Sequence, residues 1–160
     1  MTNLATAFGK NFNPNMIRVR SFELGGHTFR VKVPLASEME LNAEELKKDD
    51  PELIEKYYKQ IADPLIANKE TIAEEGKIEF TEDDVLVEGR SLREAAQNKA
   101  KTEQRITSMF KLLVPEEKDF DMNSITYPMI EELFPIGIQM DLMEKISEVI
   151  SPNYQTTRGK

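Results

Sequence analysis

At 160 residues the chain is long enough for one ordinary domain, which would bury roughly two-thirds of the surface its unfolded form exposes. It contains no cysteine, which excludes disulfides, thiolate metal sites and cysteine nucleophiles and fits a reducing cytosol. The formal net charge of -8 works against general nucleic-acid binding, and no apolar run approaches the about 18 residues of a membrane span.

Residues 1–15 are rich in asparagine and lack both periodic apolar positions and the cationic start and apolar core of a signal peptide. They are read as a flexible arm. Residues 16–33 hold two alternating segments around Gly25-Gly26, the pair that a two-residue hairpin turn favours. The apolar phase shifts between Val19 and Phe22, which predicts a bulge at Arg20-Ser21. With it, Phe22 faces Phe29, Val19 faces Val31 and Ile17 faces Val33. The opposite face then carries Arg18, Arg30 and Lys32, with Arg20 near the bulge.

A helical body is expected over 36–114. Ser37 and Glu40 form a capping box for a short helix ending near Lys48. Asp50 with Pro51 opens a second helix with the stripe Leu53, Tyr57, Ile61 and Leu65, and Pro64 is expected to kink or reset it at Asp63. Gly76 closes that region. Ile78, Phe80, Val85 and Val87 flank a TEDD turn and read as a second small hairpin in preference to irregular structure. Ser91 and Glu94 cap the longest helix, whose inner side is Leu92, Ala95, Ala96, Ile106, Met109, Phe110 and Leu113, with Pro115 as its end. Lys99 and Glu103 interrupt that seam, so no coiled coil is expected.

The charged segment 115–123 is a candidate hinge. A terminal helical pair follows within 124–150, as helices of about 126–134 and 136–150 separated by Pro135. Ile138, Leu142, Ile146 and Ile150 mark the inner face of the second, and 151–160 reads as a flexible tail. The fold class expected is α+β, mostly helical, a small N-terminal antiparallel hairpin packed on four or five helices in a single domain over 16–150.

No catalytic, cofactor or metal site is expected. The one histidine, His27, sits at the hairpin turn, where the simpler reading is an exposed turn residue. Glu82-Asp83-Asp84 and Glu116-Glu117 lack the ligand spacing and central glycine of a calcium loop, and phosphate loops, dinucleotide fingerprints and HExxH motifs are missing. Two surfaces stand out. The cations Arg18, Arg20, Arg30 and Lys32 call for a negative counterpart, either glutamates on neighbouring helices, the preferred reading, or an external acidic partner. Met122, Met129, Met140 and Met143 are half of the eight methionines. They either fill an irregular core, the preferred reading, or make an adaptable apolar surface.

The string FELGGHTFRVKVP at 22–34, set before an acidic helical body and a tail, resembles the tail assembly chaperones of long-tailed bacteriophages. The resemblance is one of layout over 17–150, with FxLGGxxFxVxVP as its concrete string. It implies a non-enzymatic protein of the host cytoplasm that coats the tape-measure protein, helps assemble tail-tube subunits and leaves the finished particle. Self-association is compatible with it, and a membrane role is not implied. The resemblance also implies a second, longer product made by ribosomal slippage, and Gly159-Lys160 is the dipeptide that a GGG-AAA slippery site encodes. A groove around Leu113, Phe134, Met140 and Met143 is the expected tape-measure contact. The alternatives are another virion morphogenesis factor, such as a tail-completion or head-tail joining protein, and a nucleic-acid regulator using the basic hairpin face.

Overall fold

A computed structural model describes residues 4–72 and 76–151. The expected tail beyond Ser151, the first three residues of the arm and residues 73–75 lie outside that range. The fold is α+β and mostly helical, with a small N-terminal antiparallel sheet packed against several helices. Contacts among the described residues group into two compact units, one drawn from Met1–Asn42 and Ile106–Lys160, the other spanning Ala43–Arg105.

In the first unit, the single helical turn α1 (Leu4–Ala7) lies within the segment read as an arm, and α2 (Pro14–Ile17) spans its end and takes in Met16 and Ile17, which were expected in the hairpin. Strands β1 (Val19–Leu24) and β2 (His27–Lys32) follow. Leu24 pairs with His27 across Gly25 (φ 62) and Gly26 (φ 81), a left-handed pair of residues that glycine adopts without a Cβ penalty. Pairing then runs without interruption through Phe22↔Phe29 and Arg20↔Val31 to Val19↔Lys32, so the expected bulge is absent. Arg20, Phe22 and Leu24 share the inner face, and Val19 lies on the other. An arginine can hold that inner position because its stem packs while its guanidinium reaches polar atoms beyond, so no extra residue is needed to restore the phase.

The first unit also contains the end of α6 (Leu92–Phe110), strand β6 (Leu113–Val114), α7 (Tyr127–Leu133) and α8 (Ile136–Ile150). Leu113 was expected to continue the long helix. Instead the helix stops at Phe110 and Leu113–Val114 pair with Val31 and Arg30, making the hairpin a three-stranded sheet β1-β2-β6. Ile106, Phe110, Ile125, Ile130 and Leu142 form its main core, with Phe22 and Phe29 packed against them. A second cluster joins Val31 to Ile146 and Val149. Each such side chain contributes about 1.5–3 kcal/mol on burial.

Helix α3 (Ala36–Lys47) has no buried residue. The expected Ser37–Glu40 box is replaced by Glu38, whose Oε1 accepts the Leu35 N–H at 2.8 Å. In the second unit, α4 (Pro51–Ala67) starts as expected, with Asp50 accepting from the Leu53 N–H at 3.2 Å. It is not reset at Pro64 but runs on to Ala67. The helix forfeits the amide donor that proline lacks, while Leu65, one residue on, packs against the unit's core. The buried stripe is Tyr58 and Ala62 with Ile54, Tyr57 and Leu65 beside them, and Ile61 is exposed.

The single turn α5 (Lys69–Ile72) precedes the second sheet, which has three strands: β3 (Ile78–Phe80), β4 (Val85–Val87) and β5 (Arg90–Ser91). The third was not expected. It is formed by a two-residue turn at Glu88 (φ 51) and Gly89 (φ 81), which pairs Val87 with Arg90. Ser91 then caps α6 as predicted, its Oγ accepting the Glu94 N–H at 3.0 Å.

Candidate functional site

The terminal helices present the clearest division between inner and outer faces. Thr126 and Pro128 start α7, and Pro135 separates it from α8. The buried residues of α8 are Gln139, Leu142, Ile146 and Val149. They follow three- and four-residue steps, whereas the expected series Ile138, Leu142, Ile146 and Ile150 steps by four throughout and drifts around a helix of 3.6 residues per turn. Ile138 is accordingly exposed. Gln139, buried to 1% exposure, is satisfied on both sides: its Oε1 accepts the Tyr127 hydroxyl at 2.8 Å, and its Nε2 donates to the Phe134 carbonyl at 2.8 Å. That network fixes α7 against the start of α8, since leaving a buried amide unpaired costs about 1–3 kcal/mol.

With the inner faces fixed, two short apolar rows point outward. Met129 and Leu133 on α7 are 39% and 74% exposed, and Ile136 and Met140 on α8 are 58% and 40% exposed. Each pair is spaced i, i+4 and so shares a side of its helix. Leu133 and Ile136 are three residues apart, which puts the ends of the rows within about 11 Å along the backbone.

This placement divides the four residues expected to line a groove. Leu113, Phe134 and Met143 are partly buried against the core cluster, and Phe134 meets Phe110 edge-on at 5.6 Å between centroids. Only Met140 belongs to the outward rows. Met122 also packs inward. Leu133 and Ile136 were missed, because an i, i+4 pair interrupted by a proline does not announce which side faces the core.

The basic hairpin residues are drawn to separate places. Arg18, immediately before β1, donates from Nε to the Val33 carbonyl at 2.9 Å and from an η nitrogen to Glu38 Oε1 at 2.5 Å. The Glu38 carboxyl is held below its usual range, chiefly by the Leu35 N–H; burial opposes this and Arg18 reinforces it. Arg20 donates to the Val149 carbonyl at 2.6 Å and the Ser151 carbonyl at 3.3 Å. Arg30 reaches the Pro115 carbonyl at 3.3 Å, and Lys32 lies near enough to Glu38 to lower its pKa slightly. The expected relief by helix glutamates therefore holds for Arg18, while Arg20 and Arg30 bond main-chain oxygens.

In the second unit, two polar clusters escaped the sequence reading. Glu103, 7% exposed, accepts the Tyr57 hydroxyl, and Lys99 lies 4.3 Å over the same ring. The charges that interrupt the α6 seam thus clasp one tyrosine. Asp84 accepts from the Val85 N–H (2.7 Å), the Arg93 N–H (3.0 Å) and the Ser91 hydroxyl. Arg93 in turn bonds Glu55 at 2.7 Å and lies 3.9 Å over Tyr58. These carboxylates are engaged with protein donors. His27 is exposed, with its ring edge-on to Phe29 at 4.6 Å.

None of the described helices is long and apolar enough to cross a membrane. No protein-family model, curated protein or solved structure matches the chain.

Proposed function

We propose that the chain is a non-enzymatic tail assembly chaperone of a long-tailed phage or prophage, acting in the host cytoplasm by holding apolar segments of the tape-measure protein while tail-tube subunits assemble. The observation that carries this reading is the pair of exposed rows Met129–Leu133 and Ile136–Met140 on helices anchored to the core by Ile130 on α7 and by Gln139, Leu142, Ile146 and Val149 on α8. Unbranched, polarisable methionine beside branched aliphatics suits a surface that meets varied apolar segments. The hairpin string FxLGGxxFxVxVP supports the same family.

The nucleic-acid alternative draws less support, because Arg18, Arg20 and Arg30 each bond groups of the protein itself. A structural morphogenesis factor differs from a chaperone in its fate: it stays in purified particles, and a chaperone does not.

The test is co-expression with a tagged tape-measure protein from the same genome. The expected result is soluble co-purification that is lost when Leu133 and Ile136 are both changed to serine, in a variant whose circular dichroism and melting are unchanged. Co-purification that survives the double substitution would move the contact off this face. An insoluble tape-measure protein beside a folded chain would overturn the chaperone reading.

A further inference from the structure

We infer that the outward face of α7 and α8 accepts an amphipathic helix whose apolar positions are bordered by lysine or arginine, an inference that rests on the docking face proposed above and names the chemistry of its occupant. The backbone of both helices is consumed by internal hydrogen bonds, so this face offers a partner side chains only. Strand addition is unavailable to it, and the recognition mode left is a helix laid along apolar rows.

The charge that the two helices themselves carry is one-sided. From Tyr127 to Ser151 there are five carboxylates, Glu131, Glu132, Asp141, Glu144 and Glu148, and one cation, Lys145, itself 4.0 Å from Glu148. Their placement matters more than their number. Met140 and Glu144 are spaced i, i+4, so a carboxylate stands beside the far end of the α8 row. Glu132 lies between the α7 row and its far side, three residues from Met129 and next to Leu133. Glu132 and Glu144 are exposed. An apolar stripe bordered in this way favours an occupant with cations at its margins and rejects one with carboxylates there. A second copy would set one acidic border against another, and an anionic lipid surface would be repelled in the same manner.

The probe is a synthetic helical peptide with leucine at i, i+4 and i+7 and lysines flanking that stripe, compared with a peptide in which glutamates replace the lysines. Binding to the full chain is read by fluorescence anisotropy at low and high salt. The lysine peptide is expected to bind at least about tenfold more tightly, with the difference shrinking as salt rises. Glu132→Gln with Glu144→Gln should remove most of the difference. Glu82→Gln with Asp83→Asn, the same charge change on the second unit, should not.

Equal loss from both variant pairs would reduce the effect to attraction by net charge and overturn the inference. Equal binding of the two peptides would also overturn it, while leaving the apolar docking face intact. Binding of neither peptide, alongside co-purification of the tape-measure protein, would overturn the inferred occupant without touching the chaperone reading.

Discussion

The guanidinium of Arg20 donates to the main-chain carbonyl of Val149 at 2.6 Å, joining residues 129 apart in sequence. It also reaches the Ser151 carbonyl. The last carbonyls of a helix have no intrahelical donor and carry the negative end of its dipole, so a cation placed there satisfies both needs. The β1 strand thereby secures the end of α8.

Replacing Arg20 with alanine is expected to destabilise the protein by about 1.5–3 kcal/mol, the range for a hydrogen bond to a charged group. Arg20→Lys should recover part of this, since it keeps the charge and loses the fork geometry. Urea denaturation at neutral pH measures both. A change below a few tenths of a kcal/mol for Arg20→Ala would show that the interaction is idle.

Asp84 gives the second unit an acid-sensitive joint. Burial pushes its carboxyl up, but donation from Ser91, Arg93 and Val85, together with the Arg93 charge, outweighs burial and leaves the pKa below the ordinary 3.8. A group depressed in the folded state contributes stability that is present above its unfolded pKa and lost as pH falls through the folded one. Denaturation midpoints taken from neutral pH downward should therefore fall more steeply below about pH 4 in the wild type than in Asp84→Asn. At neutral pH, Asp84→Ala should cost about 1 kcal/mol through loss of the bonds it accepts at the start of α6. Parallel pH curves for wild type and Asp84→Asn would contradict this account.

Tyr57 and Glu103 make a different kind of pair. Tyr57→Phe removes a donor from a carboxylate that is almost wholly buried, and the predicted cost is about 1–3 kcal/mol. Glu103→Gln retains an acceptor oxygen without the charge and should cost less. Double-mutant analysis by thermal melting gives the coupling, which should be clearly nonzero for residues in direct contact.

Glu88 holds a left-handed backbone conformation at φ 51, which costs a side-chain-bearing residue roughly 1–2 kcal/mol. Asparagine tolerates that region and is favoured in two-residue hairpin turns. Glu88→Asn should raise stability by about 0.5–1 kcal/mol, read as a higher melting temperature with the same unfolding slope in urea.

Features encoded over a few neighbouring residues were legible in the sequence. Gly25-Gly26 specified a tight turn because it removes the Cβ clash at positive φ. Asp50-Pro51, Ser91-x-x-Glu94 and Pro135 marked helix ends through groups that accept or lack a main-chain donor. The buried sides of α4 and α8 were less legible. Apolar residues outnumber core positions there, and a four-residue spacing such as Leu53-Tyr57-Ile61-Leu65 drifts by about 40° per step around a 3.6-residue helix. Ile61 and Ile138 were therefore placed inside and lie outside. The candidate site was divided for the same reason, with Met140 outward and Phe134 and Met143 against the core.

By itself the sequence determined the α+β composition of the fold, the hairpin and its turn, and most helix starts, because each rests on backbone geometry or hydrogen bonds within a few residues. Only the tertiary structure decided that Leu113–Val114 forms a strand beside β2, that Arg20 faces inward to the end of α8, that Gln139 is buried, and that Leu133 and Ile136 are left outside. Each of these depends on a partner group or packing surface outside the residue's own helix or strand. A two-residue strand has no periodicity of its own, and a polar side chain is buried only where the fold brings it a donor or an acceptor, as Tyr127 and Phe134 do for Gln139.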